Sequence, residues 1–489
     1  MSQYKPQWFF IMCLLLIGPA FIWGYIVHQG LSGDVFWQWA AGQYMWAHHL
    51  IIRRDPFSYS LYGHRWVTEE WGFEVLLAGL VSGIGPIAYW LVSAGAATLA
   101  LVFVAGRLRL AQASWSKIAL ALVLVGASLA PLTKVRPQTI SYALFAAELW
   151  ILDSTRTHPR RVWIMPVFLA VWTNLHGSFL LGYLVYFLYG LWMFVPVNRG
   201  RFRTPQTMMT RTQFIWSFLV SLVASLINPH GVEIWSYAAH VSFSSQIAAM
   251  IEEWQSPNFH VHFMMLTIVG PLVLILLAAE FSAQKSIDWP EFVLTGGLLV
   301  AVLQSQRFLP YYAIEWPLLA AALTPDFEFR RVKSFLGIPV ILALVVYTIA
   351  SKPIVGPGQI GTGVPVRAVN YLAQHRRGRV FAMYHWGGYL ISRGFKVFVD
   401  GRTDFYLHSP VLPDYMAVKD LTQNPNRIWQ QYHVEYVLWE PKTAVATFLS
   451  QDTSEWQEVF AGKYAVIYQH RGIWGLTPTI QTRTTGGST

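Results

Sequence analysis

Three carboxylates stand beside apolar segments of the chain, where they could do acid–base chemistry. Asp34 follows the apolar segment Trp8–Val27, and Glu69 and Glu70 precede the next one. A carboxylate at this position can take a proton from a hydroxyl group that comes within hydrogen-bonding distance. Two structural roles compete with catalysis. Asp34 could cap the helix that follows it, and the two glutamates could favour a helix start through its dipole.

Four arginines near the same segments carry a side chain that suits phosphate: Arg53, Arg54, Arg136 and Arg307. The planar guanidinium group binds two phosphate oxygens at once. An arginine beside an apolar helix also needs an anion to offset its charge. The predicted partner is a lipid-linked phosphate or diphosphate. The alternatives are anionic lipid headgroups and the carboxylates Glu252 and Glu253, which are candidate binding residues themselves.

Two short motifs, TNLHG (173–177) and NPHG (228–231), add Asn174, His176 and His230 to the candidate binding residues. Apart from the His260–His262 pair, the histidine spacing does not match a known metal site. The sequence therefore predicts no metal ligand, and a divalent cation as a cofactor stays open. Gly177 and Gly231 are typical of turns at the ends of helices.

The composition is that of a membrane protein. Of the 489 residues, 54% are hydrophobic and only 12% are charged, whereas a soluble domain carries about 25% charged residues. The polar surface is too small for a water-soluble protein of this size, so a soluble enzyme is excluded. The single cysteine, Cys13, excludes a disulfide framework.

The spacing of apolar segments predicts a mainly α protein, a polytopic transmembrane bundle of about eleven helices within residues 1–350. Trp8–Val27 is expected to be a retained membrane helix, because no small-residue cleavage site follows it. The other segments lie near 75–105, 118–132, 138–152, 162–173, 178–196, 213–228, 261–279, 289–304, 308–323 and 335–350.

The lysines and arginines between these segments predict the orientation. Most of them lie on the cytoplasmic side if the N-terminus is cytoplasmic, which predicts a multi-pass protein of the cytoplasmic membrane with its C-terminal region outside. The same orientation places all the candidate residues on the extracytoplasmic face. There the long first outer loop, 28–72, is predicted to include an interfacial helix with Phe36, Trp39, Tyr44 and Trp46 on it.

Two glutamates, Glu148 and Glu315, fall inside apolar segments. A carboxylate within a membrane segment is a functional candidate by default. We slightly favour the alternative, in which each carboxylate is hydrogen-bonded to a tryptophan, tyrosine or arginine of a neighbouring helix.

Residues 351–476 are predicted to form a small extracytoplasmic α/β domain, followed by a disordered tail at 477–489. The motifs HWGGYLI (385–391) and FVDGRTDFY (398–406) place Gly, Asp and Arg at strand ends, which is typical of binding sites and equally of turns with structural ion pairs. The predicted strands are Arg379–Tyr384, Lys396–Val399, Glu435–Leu438 and Tyr464–Tyr468, and the predicted helices are Val366–Gln374 and Thr443–Ser450.

The outer motifs together resemble those of bacterial members of the GT-C superfamily, which are integral-membrane glycosyltransferases. The resemblance rests on these segments: GDVFWQWAAGQYMW, RRDPFSYSLYGHRWVTEEW, VRPQTISY, WTNLHGSFLLG, INPHG, IEEWQSP, WGGYLI and VFVDGRTDFY. It implies transfer of a sugar from a polyprenyl-phosphate carrier at the outer face, with inversion. It also implies an essential first-loop acid, at the position of Asp34. Many members carry paired acids there, whereas Asp34 lies between Gly33 and Val35, so a second acid would be Glu69 or Glu70.

The expected partners are therefore a polyprenyl-phosphate-linked sugar, the lipid bilayer and an acceptor that is a glycan, a lipid or a protein. Two other functions stay open: a transporter or flippase for lipid-linked glycan, and a non-enzymatic envelope assembly protein. A transporter is expected to show internal repeats, and the sequence shows no convincing ones. Nucleic-acid binding is not expected, because the formal charge of +10 arises mostly from basic loops on the cytoplasmic side.

Overall fold

The computed structural model describes residues 6–28, 31, 33–281, 285–325, 364–375 and 378–472. The chain forms two compact units. The first unit consists of Met1–Arg54 and Arg65–Thr362, and the second unit consists of Asp55–His64 and Gly363–Thr489. The predicted crossing 335–350, the predicted domain boundary near 351 and the predicted tail 477–489 lie outside the described residues.

The first unit is helical. Its helices are α1 (Pro6–His28), α2 (Gly33–His48), α3 (Trp71–Ile84), α4 (Ile87–Leu110), α5 (Trp115–Leu129), α6 (Pro137–Ser154), α7 (Met165–Thr173), α8 (Phe179–Phe194), α9 (Arg211–Ala224), α10 (Glu233–Phe243), α11 (Ser245–Met250), α12 (His262–Phe281), α13 (Trp289–Gln304) and α14 (Leu309–Leu323). Three short strands form a small sheet in the order β1 (Asn198–Arg199), β2 (Phe202–Arg203) and β3 (Ile287–Asp288).

Three of the described helices are long and apolar enough to cross a membrane: Ile87–Leu110, Trp115–Leu132 and His262–Glu280. Shorter apolar helices cover Ile11–Ile26, Trp71–Ile84, Phe179–Phe194 and Trp289–Gln304. The total of about eleven crossings stays a prediction.

The apolar stretch near 75–105 forms two helices, α3 and α4, and not one. Gly85 separates them with a φ of 74°, a left-handed conformation that glycine adopts without steric cost. Pro86 follows and has no N–H to continue the helix. The break allows α3 to pack along α2 before the chain continues into α4.

Gly42 sets the close approach of α2 to α3. A Cβ atom at this position would overlap the carbonyl oxygen of Glu74 and lie 2.8 Å from the Cβ of Ala78. Helix axes approach this closely only where a small residue faces the neighbouring backbone. α2 therefore has a fixed position against α3, and with it the side chains of its first turns.

We predict that Gly42→Ala lowers the stability of the first unit by roughly 1–3 kcal/mol, because the added methyl group forces α2 away from α3. Gly95→Ala is the matched control, since nothing lies within 4 Å of a Cβ at this position in α4. Removing a helical glycine there should stabilise by about 0.5–1 kcal/mol. Thermal unfolding of both variants in the same detergent checks this, and equal midpoints would contradict the role of Gly42.

A buried arginine of α4, Arg107, joins α4 to three other helices, α6, α13 and α14, at the C-terminal end of α6. Its guanidinium group donates to Asp153 at 2.5 Å and Glu291 at 2.6 Å, and it also pairs with Glu315. Glu315 thus has the arginine partner that the sequence analysis favoured. Glu148 does not follow that prediction, because both of its carboxylate oxygens are buried without a hydrogen-bond partner among the described residues.

The second unit is built on a mixed sheet in the order β4 (Val380–Ala382), β5 (Tyr436–Trp439), β7 (Val466–His470) and β6 (Trp456–Ala461). β4 and β5 are parallel, and the other pairs are antiparallel. Its described α-helices are Val366–His375, Gly387–Ser392, Thr403–Tyr406, Val411–Lys419, Pro425–Gln431 and Ala444–Gln451. The core between sheet and helices is aromatic, and Phe381, Trp429 and Trp439 lie at its centre.

The segment Asp55–His64 lies within the predicted first outer loop, 28–72, but belongs to the second unit. From its place in the sequence, the whole of this loop is expected to belong with residues 1–350. Ser58 forms a parallel bridge with Val397, and the Tyr59 amide donates to the Val397 carbonyl at 2.9 Å. The prediction of a strand at Lys396–Val399 is wrong. Val397 makes only isolated bridges, one to Ser58 and one to Val380.

Arg402 is the buried centre of the second unit. It donates to Asp400 at 2.6 Å and to Asp55 at 2.7 Å, and Tyr406 donates to the same Asp400 carboxylate at 2.7 Å. The Arg402 and Asp55 side chains are 1% and 0% exposed. The motif FVDGRTDFY therefore supplies a structural ion pair. Its sequence had allowed either this role or a binding site.

We predict that Asp55→Asn lowers the stability of the second unit by roughly 3–5 kcal/mol, because it removes a charge that offsets a buried arginine. Asp420→Asn is the matched control, since Asp420 is exposed. Limited proteolysis across a temperature series, read on fragments of the C-terminal region, measures the effect. Similar protection of the two variants would contradict a stabilising role for the Asp55–Arg402 pair.

Candidate active site

Arg136 lies between two carboxylates at the start of α6. One guanidinium nitrogen is 3.1 Å from Asp34 Oδ2, and another donates to Glu253 Oε1 at 2.9 Å. Asp34 lies in the first turn of α2, so α2, α6 and the segment before α12 meet at this arginine. The predicted helix is present as α2, with Asp34 inside its first turn and not at the capping position. Its position at the membrane interface stays a prediction.

Lys134 adds a second cation to the same carboxylate. Its ammonium group donates to Glu253 Oε1 at 3.0 Å. The loop that carries it is held against α6, because Thr139 Oγ1 donates to the Lys134 carbonyl at 2.6 Å. Burial opposes ionisation of Glu253, but Arg136, Lys134 and Arg307 outweigh it and lower the pKa of the Glu253 carboxyl group.

A second group of polar side chains surrounds His176. Helix α2 connects it to the charged residues around Arg136. Gln38, one turn after Asp34 on α2, donates to Glu70 Oε2 at 3.0 Å. Glu70 Oε1 in turn lies 3.6 Å from His176 Nε2. Because residues four apart share a helix face, α2 presents Asp34 and Gln38 on the same side. We call the group Gln38, Glu70, His176 and Arg307 the His176 cluster.

The tautomer of His176 follows from a fixed donor. The Ser178 backbone N–H donates to Nδ1 at 3.1 Å, and the hydroxyl groups of Ser141 and Ser178 lie 3.1 and 2.8 Å from the same nitrogen. Nδ1 must therefore accept, and a neutral ring carries its proton on Nε2, towards Glu70. Burial and the neighbouring Arg307 hold the His176 pKa well below its ordinary value, so the ring is neutral at pH 7.

Arg307 connects the His176 cluster to a cavity. Its guanidinium group lies 3.4 Å from His176 Nε2 and stacks over the Trp254 ring at 4.3 Å. The cavity has a volume of about 410 Å³. Its polar lining consists of Lys134, Arg136, Gln138, Glu252, Glu253, Gln306 and Arg307, and its apolar lining includes Leu132, Ile251, Phe263, Met264 and Pro310.

Glu69 faces the turn that carries His176. A Cβ atom on Gly177 would lie 2.5 Å from Glu69 Oε2, so the carboxylate approaches the backbone of that turn closely. Neighbouring Gly72 donates its amide to the Asn174 carbonyl at 3.0 Å. The segment with Glu69 and Glu70 is thus fixed on the TNLHG turn.

Comparison with solved structures gives the fold of this arrangement. No protein-family model matches the chain, and no curated protein matches it in sequence. The oligosaccharyltransferase AglB of Archaeoglobus fulgidus, in complex with an inhibitory peptide and a dolichol-phosphate, is similar with a TM-score of 0.57 and 11% identity over 90% of this chain and 70% of that one. Its apo form gives a TM-score of 0.55 at 11% identity over the same shares.

The mycobacterial arabinofuranosyltransferase AftD is similar with a TM-score of 0.54 and 15% identity, over 96% of this chain and 42% of that one. AglB and AftD are both membrane glycosyltransferases of the GT-C superfamily. The chain has the GT-C fold. This is the fold that the resemblance to the superfamily implies.

Within the GT-C fold of this chain, two of the four predicted phosphate-binding arginines, Arg136 and Arg307, line one cavity. Arg53 and Arg54 do not. Arg54 forms an antiparallel bridge with Arg65, and Arg53 lines a separate groove.

Asn174 and His230 lie on turns of the GT-C fold. Asn174 accepts from Trp71 Nε1 at 2.8 Å and donates to the carbonyls of Ala170 and Ile227, both at 2.8 Å. These bonds occupy its amide and fasten the turn after α7 to the start of α3. His230 lies 3.4 Å from Thr68 Oγ1, beside the ion pair of Arg65 with Glu233.

Sequence reasoning did not select Lys134 and Gln38 as site residues. Both carried a signal: Lys134 precedes Arg136 in the same short segment between α5 and α6, and Gln38 follows Asp34 by one helical turn. Among the residues that the structure describes, no three His, Cys, Asp or Glu side chains are placed to hold a metal ion.

The low pKa of His176 predicts a pH dependence of stability. The folded protein keeps the ring neutral while the unfolded chain binds a proton near pH 6.5, so stability is complete above about pH 6.5 and falls as the pH drops below it, by up to ~1.4 kcal/mol per unit. His176→Gln should remove this part of the slope. Unfolding midpoints between pH 5 and 8 measure it.

His49→Gln is the control for this experiment, because His49 is exposed. It should retain the wild-type slope. A slope that is unchanged in His176→Gln would contradict the assignment of a neutral, buried ring.

Proposed function

We propose that the chain is a membrane glycosyltransferase that transfers a sugar from a polyprenyl-phosphate-linked donor to an acceptor at the extracytoplasmic face. The observation that carries the proposal is the position of Asp34, paired with an arginine that also lines a cation-rich cavity. The GT-C fold supports a transferase. The donor, the face and the inverting outcome belong to the proposal.

The cavity suits the phosphate of a lipid carrier. Its lining carries three cations, Lys134, Arg136 and Arg307, against the two carboxylates Glu252 and Glu253. Asp34 and Glu253 both pair with Arg136, whereas none of the described carboxylates forms an ion pair with Arg307. Arg307 therefore offers its charge to an anion, and the apolar part of the lining suits the first units of a prenyl chain. AglB, which has the same fold, was solved with a dolichol-phosphate, and we extend that donor chemistry to this chain.

The proposed reaction uses the negative charge of Asp34 and the positive charge of the arginines beside it. Asp34 takes the proton of the acceptor hydroxyl, whose oxygen forms a bond to carbon 1 of the sugar. The bond between carbon 1 and the phosphate oxygen breaks on the opposite face, and its electron pair leaves with the carrier phosphate. Arg136 and Arg307 stabilise the charge that develops on this leaving group.

Arg136 connects proton removal by Asp34 with departure of the carrier phosphate. Because it pairs with Asp34 and also lines the cavity, it holds the base beside the position of the carrier phosphate. Glu70 and Glu69, which lie around the His176 turn, are the second acids of the site. We assign them to holding acceptor hydroxyl groups, since carboxylates accept hydrogen bonds from sugars.

We predict that Asp34→Asn lowers sugar transfer by about 10²–10⁴-fold, because the amide cannot take a proton. The assay uses purified protein in lipid with a panel of radiolabelled polyprenyl-phosphate sugars, at matched amounts of folded protein. Asp420→Asn is the control and should keep full activity. Transfer that survives in Asp34→Asn would remove Asp34 as the base and leave Glu70 or Glu69 for the role.

A further inference from the structure

A second concave surface, separate from the cavity, lies at the C-terminal end of α2. This groove has a volume of about 520 Å³. Its floor is apolar, formed by Trp46, Leu50, Ile51 and Val75, and His49 and Arg53 supply its polar edge. Neither residue of the polar edge has a role in the reaction proposed above.

The groove is held in shape by the backbone around it. Trp46 is 53% exposed, yet its Nε1 donates to the Val75 carbonyl at 2.9 Å, which fixes the ring. The Arg53 carbonyl accepts from the Trp66 amide at 3.0 Å. The exposed indole and the backbone of Arg53 are therefore both held at the groove.

The lining defines the chemical class of the ligand. Among the described residues, no carboxylate forms an ion pair with Arg53, and its side chain is exposed. Exposed tryptophan and leucine beside a cation are typical of the membrane–water interface. A lipid with an anionic headgroup satisfies both parts, with its first carbons on the apolar floor and its anion at Arg53.

The position of the groove favours an acceptor over a donor. In a polyprenyl-phosphate sugar the bond that breaks is next to the phosphate, so the donor phosphate must lie close to Asp34. The groove begins near Met45, eleven residues further along α2, which is about 16 Å at 1.5 Å per residue. A headgroup there is too far from Asp34 to be the leaving group, but it can anchor a molecule whose reacting hydroxyl group is remote.

We infer that this groove binds the anionic headgroup of a lipid-linked acceptor, an inference that rests on the proposed function. The chain then holds two lipid anions at once, the donor phosphate in the cavity and the acceptor headgroup in the groove, at opposite ends of α2. The acceptor is an elongated glycolipid whose growing end reaches Asp34.

The test counts the binding sites for a short prenyl phosphate, farnesyl phosphate, on the full chain by native mass spectrometry. The wild type should bind two equivalents. Arg53→Gln should weaken one of them about 10- to 100-fold, since a charge-assisted hydrogen bond is lost, and the double variant Arg136→Gln with Arg307→Gln should weaken the other. Leu50→Glu tests the floor and should weaken the same site as Arg53→Gln.

The control is Arg199→Gln, an exposed arginine on β1, which should keep both sites. Inorganic phosphate should compete poorly at the groove, because it gains nothing from the apolar floor. Equal competition by inorganic phosphate, or two unchanged sites in Arg53→Gln, overturns the inference. A single site in the wild type overturns it as well.

The same measurement separates this inference from the proposed function. If Arg53→Gln removes one site while the double variant changes nothing, the groove binds lipid anions and the donor cavity is wrong. If only the double variant removes a site, the donor cavity stands and the groove inference fails.

Discussion

Arg136 reaches carboxylates on two other segments of the first unit, and the candidate active site depends on this one cation. A charged side chain at the end of an apolar helix is costly without a counterion, so Asp34 and Glu253 must both come to the start of α6. That requirement fixes α2 in front of the cavity. The position of Gln38, and through it the approach of Glu70 to His176, follows from the same constraint.

At the C-terminal end of α6, arginines are also offset by carboxylates, but the balance of charges is different. Arg107 and Arg156 are surrounded there by Asp153, Glu291 and further carboxylates, and Arg107 is almost completely buried. Acids outnumber the arginines at that end, whereas the cavity beside Arg136 has an excess of cations. One end of the helix is suited to hold the bundle together, and at the other end cations outnumber carboxylates on the lining of the cavity.

The sequence predicts most of the helices of the first unit, because each apolar segment must be helical in a membrane; the predicted segment 289–304 coincides with α13. It also places Asp34, Arg136, His176 and Arg307 at the same face, since loops of a bundle alternate between faces. The sequence could not predict which carboxylate pairs with which arginine or histidine. The Asp34–Arg136 pair joins residues that lie far apart in the sequence, and no local pattern reports that contact.

The second unit is predicted in part. Its parallel strands β4 and β5 are short and completely buried, and the predicted strands Arg379–Tyr384 and Glu435–Leu438 overlap them, because a short apolar run between polar residues is typical of a buried strand. The segment Asp55–His64 reads as part of a loop because its partners follow hundreds of residues later. The motif with Asp400 and Arg402 indicated an ion pair between these two residues. The sequence could not show that Asp55 also pairs with Arg402.

The pairing of Asp55 with Arg402 has a consequence for biosynthesis. The two residues are 347 positions apart, and at roughly 5–20 residues per second a ribosome needs about 20–70 s to make the intervening chain. During that interval Asp55–His64 has been synthesised while its partners around Val397 and Arg402 have not. A nascent chain must therefore keep this segment accessible until the region around Arg402 has been made, and the second unit cannot be completed before then.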